Sequence, residues 1–309
     1  MYDTMIAGSR DSKLAMWQTR WVEEQLKKSL PAITVHIKSV KARGDKILDV
    51  PLAKIGDKGL FTRELDNALL AGEIDFAVHS LKDLPTEMPA GLTIAAVTKR
   101  WDCRDALISR QGLRLNDLPA GAVVATGSLR RQSQLLAWRP DLKVCDIRGN
   151  IQTRLRKFDE SDWQAMILAV AGLERMGLGE RITQKLDFDI MLPGIGQGSL
   201  AVVCRADDKR LIDRLAVVED RESRLMARAE RSFLNALEGG CQVPIGAKAD
   251  VNGRELRLRG FVGSVDGQTT LRVEIGGAAD EARELGRNLA REALNKGAGD
   301  ILDLIRGKE

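Results

Sequence analysis

The stretch Glu238-Gly239-Gly240-Cys241-Gln242-Val243-Pro244-Ile245-Gly246 sets one thiol in a loop. Gly239 and Gly240 free the backbone to present a side chain, and Pro244 disfavours helix just after it. Such a thiol can be a nucleophile, an attachment point for a prosthetic group, or a small residue filling a tight turn. Two further stretches join hydroxyls to arginines where a strand should turn into a helix: Ser9-Arg10-Asp11-Ser12, and Thr126-Gly127-Ser128-Leu129-Arg130-Arg131. Helix N-termini offer free N–H groups and the positive end of a dipole, so anions bind there readily. Ser12 and Ser128 can instead be plain N-caps. Two adjacent arginines in a first helical turn oppose the dipole unless an anion sits with them, so the second turn is expected to bind one. Neither turn matches a nucleotide-phosphate loop.

His79-Ser80-Leu81-Lys82-Asp83-Leu84-Pro85 follows an apolar run that reads as a buried strand. In open α/β sheets the ends of such strands face the ligand. Lys82 suits an anion, and Asp83 suits proton handling or stabilisation of a cation, although a Lys–Asp pair opening a turn explains the segment as well. His79 reads as a core histidine. Arg148, Arg154 and Arg175 fall near later element ends and can add to the same anion site.

The chain of 309 residues has 31 Arg against 17 Lys, with a net charge of only +4. That charge is too mild to argue for nucleic acid, while the planar guanidinium fork suits carboxylates and phosphates. Two histidines without HxxxH spacing, and four cysteines without CxxC, predict no metal site. No basic segment leads into an apolar one at the start, and no apolar run spans a bilayer, so reduced thiols in the cytoplasm are expected.

The elements must bring these residues together. Strands are predicted at 4–9, 33–40, 74–80, 92–99, 122–126, 143–148 and 200–206, with helices from Ser12, Thr62 and Ser128. Residues 41–61 read as a long loop of the kind that covers a site. The 165–173 run reads as a buried strand turning into loop or helix. Alternating strands and helices predict two parallel-type α/β lobes. Ile6-Ala7-Gly8-Ser9 with its arginine, serine, leucine and tryptophan recurs faintly at Val124-Ala125-Thr126-Gly127-Ser128, as two related lobes would. The 200–206 strand should return to the first lobe, making a two-stranded hinge. The expected division is 1–99 with 200–217, then 100–199, then 218–309. The last part is an α+β unit: a helix over 219–237, a meander with turns at Asn252-Gly253 and Asp266-Gly267, and a helix over 278–295.

Seven collinear motifs carry a resemblance: RDSKLAMWQ (10–18), KGLFTRELD (58–66), HSLKDLP (79–85), GSLRRQSQL (127–135), IRGNIQTRL (147–155), AVAGLERMGL (169–178) and EGGCQVPIG (238–246). In that order they resemble the porphobilinogen deaminase (hydroxymethylbilane synthase) family across nearly the whole chain. One departure is Trp163-Gln164, where an aromatic followed by Asp is expected. The resemblance implies two periplasmic-binding-protein-like α/β lobes joined by a two-stranded hinge, and a small α+β domain carrying Cys241. It implies four head-to-tail condensations of porphobilinogen with loss of ammonia, on a dipyrromethane held by a thioether to Cys241, then release of hydroxymethylbilane. Six linked rings bear twelve carboxylates, which Arg10, Arg130, Arg131, Arg148, Arg154 and Arg175 would meet, with Lys82, Ser12, Ser80, Thr126 and Ser128 adding hydrogen bonds. Asp83 would stabilise the cation left when ammonia departs. Lys54, Lys58 and Phe61 would belong to a mobile cover. A monomer without nucleic-acid or membrane partners is implied. Two other readings remain beside it: a two-lobed, non-enzymatic binder of an organic acid, which leaves Cys241 and Asp83 without work, and a cysteine hydrolase pairing Cys241 with His79, which lacks a local signature.

Overall fold

The computed structural model describes residues 4–40, 62–237 and 243–307. The expected cover, with Lys54, Lys58 and Phe61, and the segment around Cys241 lie outside these residues. In chain order the elements are β1 (Thr4–Arg10), α1 (Lys13–Ser29), β2 (Thr34–Val40), α2 (Arg63–Leu70), β3 (Phe76–Ser80) and β4 (Leu92–Val97). Then come β5 (Asp105–Ser109), β6 (Val123–Ala125), α3 (Leu129–Trp138), β7 (Lys143–Cys145), α4 (Ile151–Glu160), β8 (Ala165–Ala169), α5 (Val170–Arg175) and β9 (Gln184–Lys185). The chain continues through β10 (Leu200–Arg205), α6 (Lys209–Leu215), α7 (Arg221–Ala236), β11 (Ile245–Asn252), β12 (Glu255–Gly263), β13 (Thr270–Ala278), α8 (Ala282–Asn295) and α9 (Ala298–Arg306).

Among the described residues the chain forms two compact units, one from the part up to 101 with 199–224, the other from 102–198 with 225–307. The first unit holds a five-stranded sheet in the order β2-β1-β3-β10-β4. β1 runs parallel to β2 and β3, while β10 enters antiparallel between β3 and β4. Helix α1 presents Ala15, Gln18, Thr19, Val22 and Leu26 inward at helical spacing. Val22 and Leu26 pack with Met5, Phe76, Val78 and Val202 into a core on that face of the sheet.

The second unit repeats the plan. Its larger sheet has the order β7-β6-β8-β5-β9, with β6 parallel to β7 and β8, and β5 antiparallel between β8 and β9. The sheets are therefore mixed rather than parallel throughout. In each, the antiparallel member is the strand that begins where the chain has just crossed from the other unit. The recurrence anticipated from Ile6–Ser9 and Val124–Ser128 falls on equivalent strands, β1 and β6.

The remainder of the second unit is an antiparallel meander, β11-β12-β13, with Gly253 and Gly267 at positive φ in its two turns. Phe233 and Leu237 of the α7 region, and Leu285, Leu289 and Ala293 of α8, share a core with Leu256, Leu258 and Val262. Gly286 lets α8 approach α7 closely: a Cβ there would lie 2.7 Å from the Ser232 Cβ and 2.9 Å from the Phe233 nitrogen. In an exposed helix Gly→Ala would gain about 1 kcal/mol. Here the clash reverses the sign, and Gly286→Ala should cost about 1–3 kcal/mol, read as a lower Tm in calorimetry. An unchanged or raised Tm would show that the helices separate freely.

Candidate functional site

In the first unit β1 and β3 end side by side, and the chain leaves β1 for α1 and β3 for a 3-10 turn over Leu81–Asp83. Around these strand ends lies a pocket lined by Arg10, Ser12, Leu14, Ala15, Gln18, Thr62, Val78, His79, Ser80 and Asp83. Four of the residues expected from sequence, Arg10, Ser12, Ser80 and Asp83, thus share one concave surface. Ser12 is also the N-cap of α1, its Oγ accepting from the Ala15 N–H at 3.3 Å. Asp83 and Lys82 are exposed on the turn, and Lys82 does not line the pocket.

Gln18 was not anticipated. It is buried, and its Nε2 donates to Ser80 Oγ at 2.9 Å, fixing a hydroxyl that faces the pocket. Its signal in the sequence is a polar residue on the inward stripe of α1, where an aliphatic one would otherwise stand. His79 is buried as expected of a core histidine, but its Nε2 has no hydrogen-bond partner among the described residues. Burial pushes its pKa down to about 4, and the Arg10 charge pushes the same way.

The second unit has the equivalent strand-to-helix turn. Thr126 is buried, its Oγ1 accepts from the Ser128 N–H at 3.4 Å, and the Ser128 side chain caps nothing. The anion expected beside Arg130 and Arg131 is internal: Asp105, fully buried at the start of β5. Arg130 Nη1 donates to its Oδ2 at 2.7 Å, and Arg131 Nε and Nη2 donate to its Oδ1 at 3.0 and 2.8 Å. Arg130 also reaches the Leu192 carbonyl at 2.7 Å, Arg131 the Ile167 carbonyl at 3.0 Å, and Gln197 Nε2 donates to Asp105 at 3.0 Å. Burial raises the pKa of Asp105, but the two guanidiniums outweigh it and hold the carboxyl below the usual range. A lone Asp before an apolar run gave little warning of this role.

The other arginines are dispersed around the same sheet. Arg148 Nε lies 3.3 Å from Asp146, Arg154 Nε donates to the Gly149 carbonyl at 2.7 Å, and Arg175 Nη2 donates to the Gly198 carbonyl at 2.6 Å. Arg175 is buried, and desolvation pulls its pKa down to about 10. Where α7 leads towards Cys241, the buried Glu230 accepts from Gly196 N and Ala249 N, both at 2.8 Å, and ties the 193–198 segment to β11. The described cysteines are poor nucleophiles: Cys103 is buried, burial raises the pKa of Cys145, and burial pushes the Cys204 thiol up to about 11. Among the described residues no group of His, Cys, Asp and Glu could hold a metal ion. No described helix is long and apolar enough to cross a membrane.

Fold and site define an α/β protein whose strand ends carry guanidiniums and hydroxyls. A family model described as porphobilinogen deaminase, dipyromethane cofactor binding domain, matches residues 5–213, and one described as porphobilinogen deaminase, C-terminal domain, matches 224–295. Curated relatives named porphobilinogen deaminase include that of Pelotomaculum thermopropionicum, 52% identical over 98% of this chain and 97% of the relative. That of Carboxydothermus hydrogenoformans is 50% identical over 99% and 98%, and that of Nostoc sp. 50% over 98% and 94%. Among solved structures, the Methionine Binding Protein MetQ covers 72% of this chain and 93% of its own at 13% identity, with a TM-score of 0.47. The chain belongs to the porphobilinogen deaminase family.

Proposed function

We propose that this enzyme condenses four porphobilinogen molecules head to tail, releasing four ammonia molecules, and then frees hydroxymethylbilane. The observation that carries the proposal is the family match over both parts of the chain, together with Arg10 and Asp83 on one pocket. The donor set fits a dipyrromethane and its acidic side chains: Arg10, Ser12, Gln18 and Ser80 face a single carboxylate, Asp83, in that pocket. When bound, dipyrromethane supplies the electron-rich ring carbon from which the chain grows. Its tether is Cys241, carried by the third domain at 218–309, because the other three thiols are buried or held protonated.

Each residue then has a task that its chemistry supports. Arg10 pairs with a ring carboxylate as a planar fork, and Ser12 and Ser80 add hydrogen bonds that fix its orientation. Asp83 would accept from a pyrrole N–H and would stabilise the positive charge that spreads into the ring as ammonia leaves. Arg148, Arg154, Arg175, Lys82, Thr126 and Ser128 serve further carboxylates of the growing chain. Arg130 and Arg131 do so with the N–H groups that Asp105 leaves over. Lys54, Lys58 and Phe61, which lie outside the described residues, would serve to exclude water from the reaction. The enzyme works as a monomer in the cytoplasm.

The purified protein should exceed its sequence mass by two linked pyrrole units, and Cys241→Ser should abolish both the excess and turnover. Porphobilinogen should add a ladder of heavier species to the wild type. An unmodified wild-type protein that also gives no ladder would sink the proposal.

A further inference from the structure

His79 is one of several buried polar groups of the first unit, with Thr19, Thr62 and Asp66, that have an atom without a hydrogen-bond partner among the described residues, and it is the one of these that carries a titratable ring on the pocket wall. It stands one residue from the end of β3, paired with Ala201 of β10, and is 5% exposed. Nε2 is shut off from water and has no hydrogen-bond partner among the described residues. A buried polar atom left unpaired costs free energy, and a phenyl or leucine side chain would fill the space without that cost. The ring also lines the pocket that holds Arg10, Ser12, Ser80 and Asp83. The second ring torsion of a histidine is a broad, two-fold rotor, and no hydrogen bond at Nε2 locks the ring that lines the pocket.

The pocket's charges suggest what that nitrogen meets. Arg10 is a cation with only donors, suited to a carboxylate, and Asp83 is the carboxylate suited to a pyrrole N–H as the ring becomes positive. The aminomethyl group of porphobilinogen has no partner in that arrangement. Resting on the proposed function, we infer that His79 accepts a hydrogen bond from the aminomethyl nitrogen of the incoming porphobilinogen and holds it as ammonia departs. In that step the carbon–nitrogen bond breaks with its electron pair going to nitrogen. An ammonium becomes neutral ammonia, and the positive charge stays on the methylene-pyrrole. No proton passes to or from the imidazole.

A neutral acceptor suits this step better than a carboxylate does. An anion at this point would stabilise the ammonium of the ground state more than the ammonia of the product, and so would raise the barrier. An imidazole kept uncharged, with Arg10 close by, accepts from either form and leaves the charge free to move towards Asp83. His79 would thus select the amine-bearing substrate without hindering its departure.

The experiment compares two ligands on three proteins. Holoenzymes of the wild type, His79→Phe and His79→Gln are titrated with porphobilinogen and with an analogue carrying a methyl group in place of the aminomethyl group. Losing a hydrogen bond to a charged group should weaken porphobilinogen about ten- to a hundredfold in His79→Phe, while the analogue binds as it does to the wild type. His79→Gln, whose side-chain oxygen can accept, should recover part of the loss. Equal weakening of both ligands, an unchanged affinity for porphobilinogen, or failure of both variants to fold would make His79 a core residue and overturn the inference. A wild type that lacks the dipyrromethane mass and any turnover would instead bring down the proposed function.

Discussion

Asp105→Ala should be among the most destabilising single substitutions in the chain. It removes the carboxylate from between two buried guanidiniums, Arg130 and Arg131, and leaves both charges without compensation. Breaking a buried ion pair by deleting one partner costs about 3–5 kcal/mol. Spread over a protein of this size, that is a fall of roughly 5–8 °C in Tm. The contribution also has a definite pH window. Asp105 is held below the ordinary carboxylate range in the folded state, so its stabilisation is fully present above the unfolded value of about 3.9 and is lost as pH falls further. Acid unfolding of the variant should therefore lack one protonation step that the wild type shows. A variant in which Asp105, Arg130 and Arg131 are all replaced by apolar residues of similar volume should regain most of the stability, since a packed apolar core often equals a buried ion pair. It should still be inactive. A single Asp105→Ala variant with the Tm of the wild type would show that the two arginines are not held by this carboxylate.

Asp83→Asn should do the opposite: leave the fold intact and stop the chemistry. Asp83 is exposed on a 3-10 turn, so the isosteric amide disturbs no packing. Arg10, Ser12 and Ser80 still offer their donors to the substrate's carboxylates, and KM should stay within a few fold. On the proposed role, what disappears is the negative charge that would stand beside a ring becoming positive only on the way to the transition state. Loss of one such preorganised group costs about 100- to 1,000-fold in kcat. In intact-mass experiments the ladder should stall at its first rungs although the dipyrromethane is in place. Asp83→Glu, whose carboxylate sits one methylene further out, should recover part of the rate. Near-normal kcat in Asp83→Asn would remove Asp83 from the catalytic role.

Much of the site could be read in the sequence because its residues sit in local motifs. Ser9-Arg10-Asp11-Ser12 and His79–Pro85 each carry their chemistry within a few positions of a strand end. The topology that joins them needs only that β1 and β3 run parallel side by side. The partners of Arg130 and Arg131 were a different matter. An anion was demanded by two cations in a first helical turn, yet nothing local distinguished a bound carboxylate from a protein one. Asp105 lies 25 residues away from Arg130 and meets it only through the placement of β5 beside β8. β5 itself carries little sequence signal because Asp-Ala-Leu-Ile-Ser is short and has no period, and the short helices α6 and α9 are equally weakly marked. Gln18 and His79 show a further limit. A polar residue on an inward stripe can be noticed in sequence, but whether its atoms find partners is decided only by packing.

The insertion of β10 between β3 and β4 also has a consequence for how the chain is made. A ribosome that has finished β4 has still to add about 100 residues, all of the second sheet among them, before the strand between β3 and β4 exists. At about 5–20 residues per second that interval lasts on the order of 5–20 s. Throughout it β3 and β4 have no strand to bridge them, and their unpaired edges are open to other chains. Nascent first units should therefore be a substrate for chaperones, and their aggregation in cell-free synthesis should be relieved once Arg205 has cleared the exit tunnel.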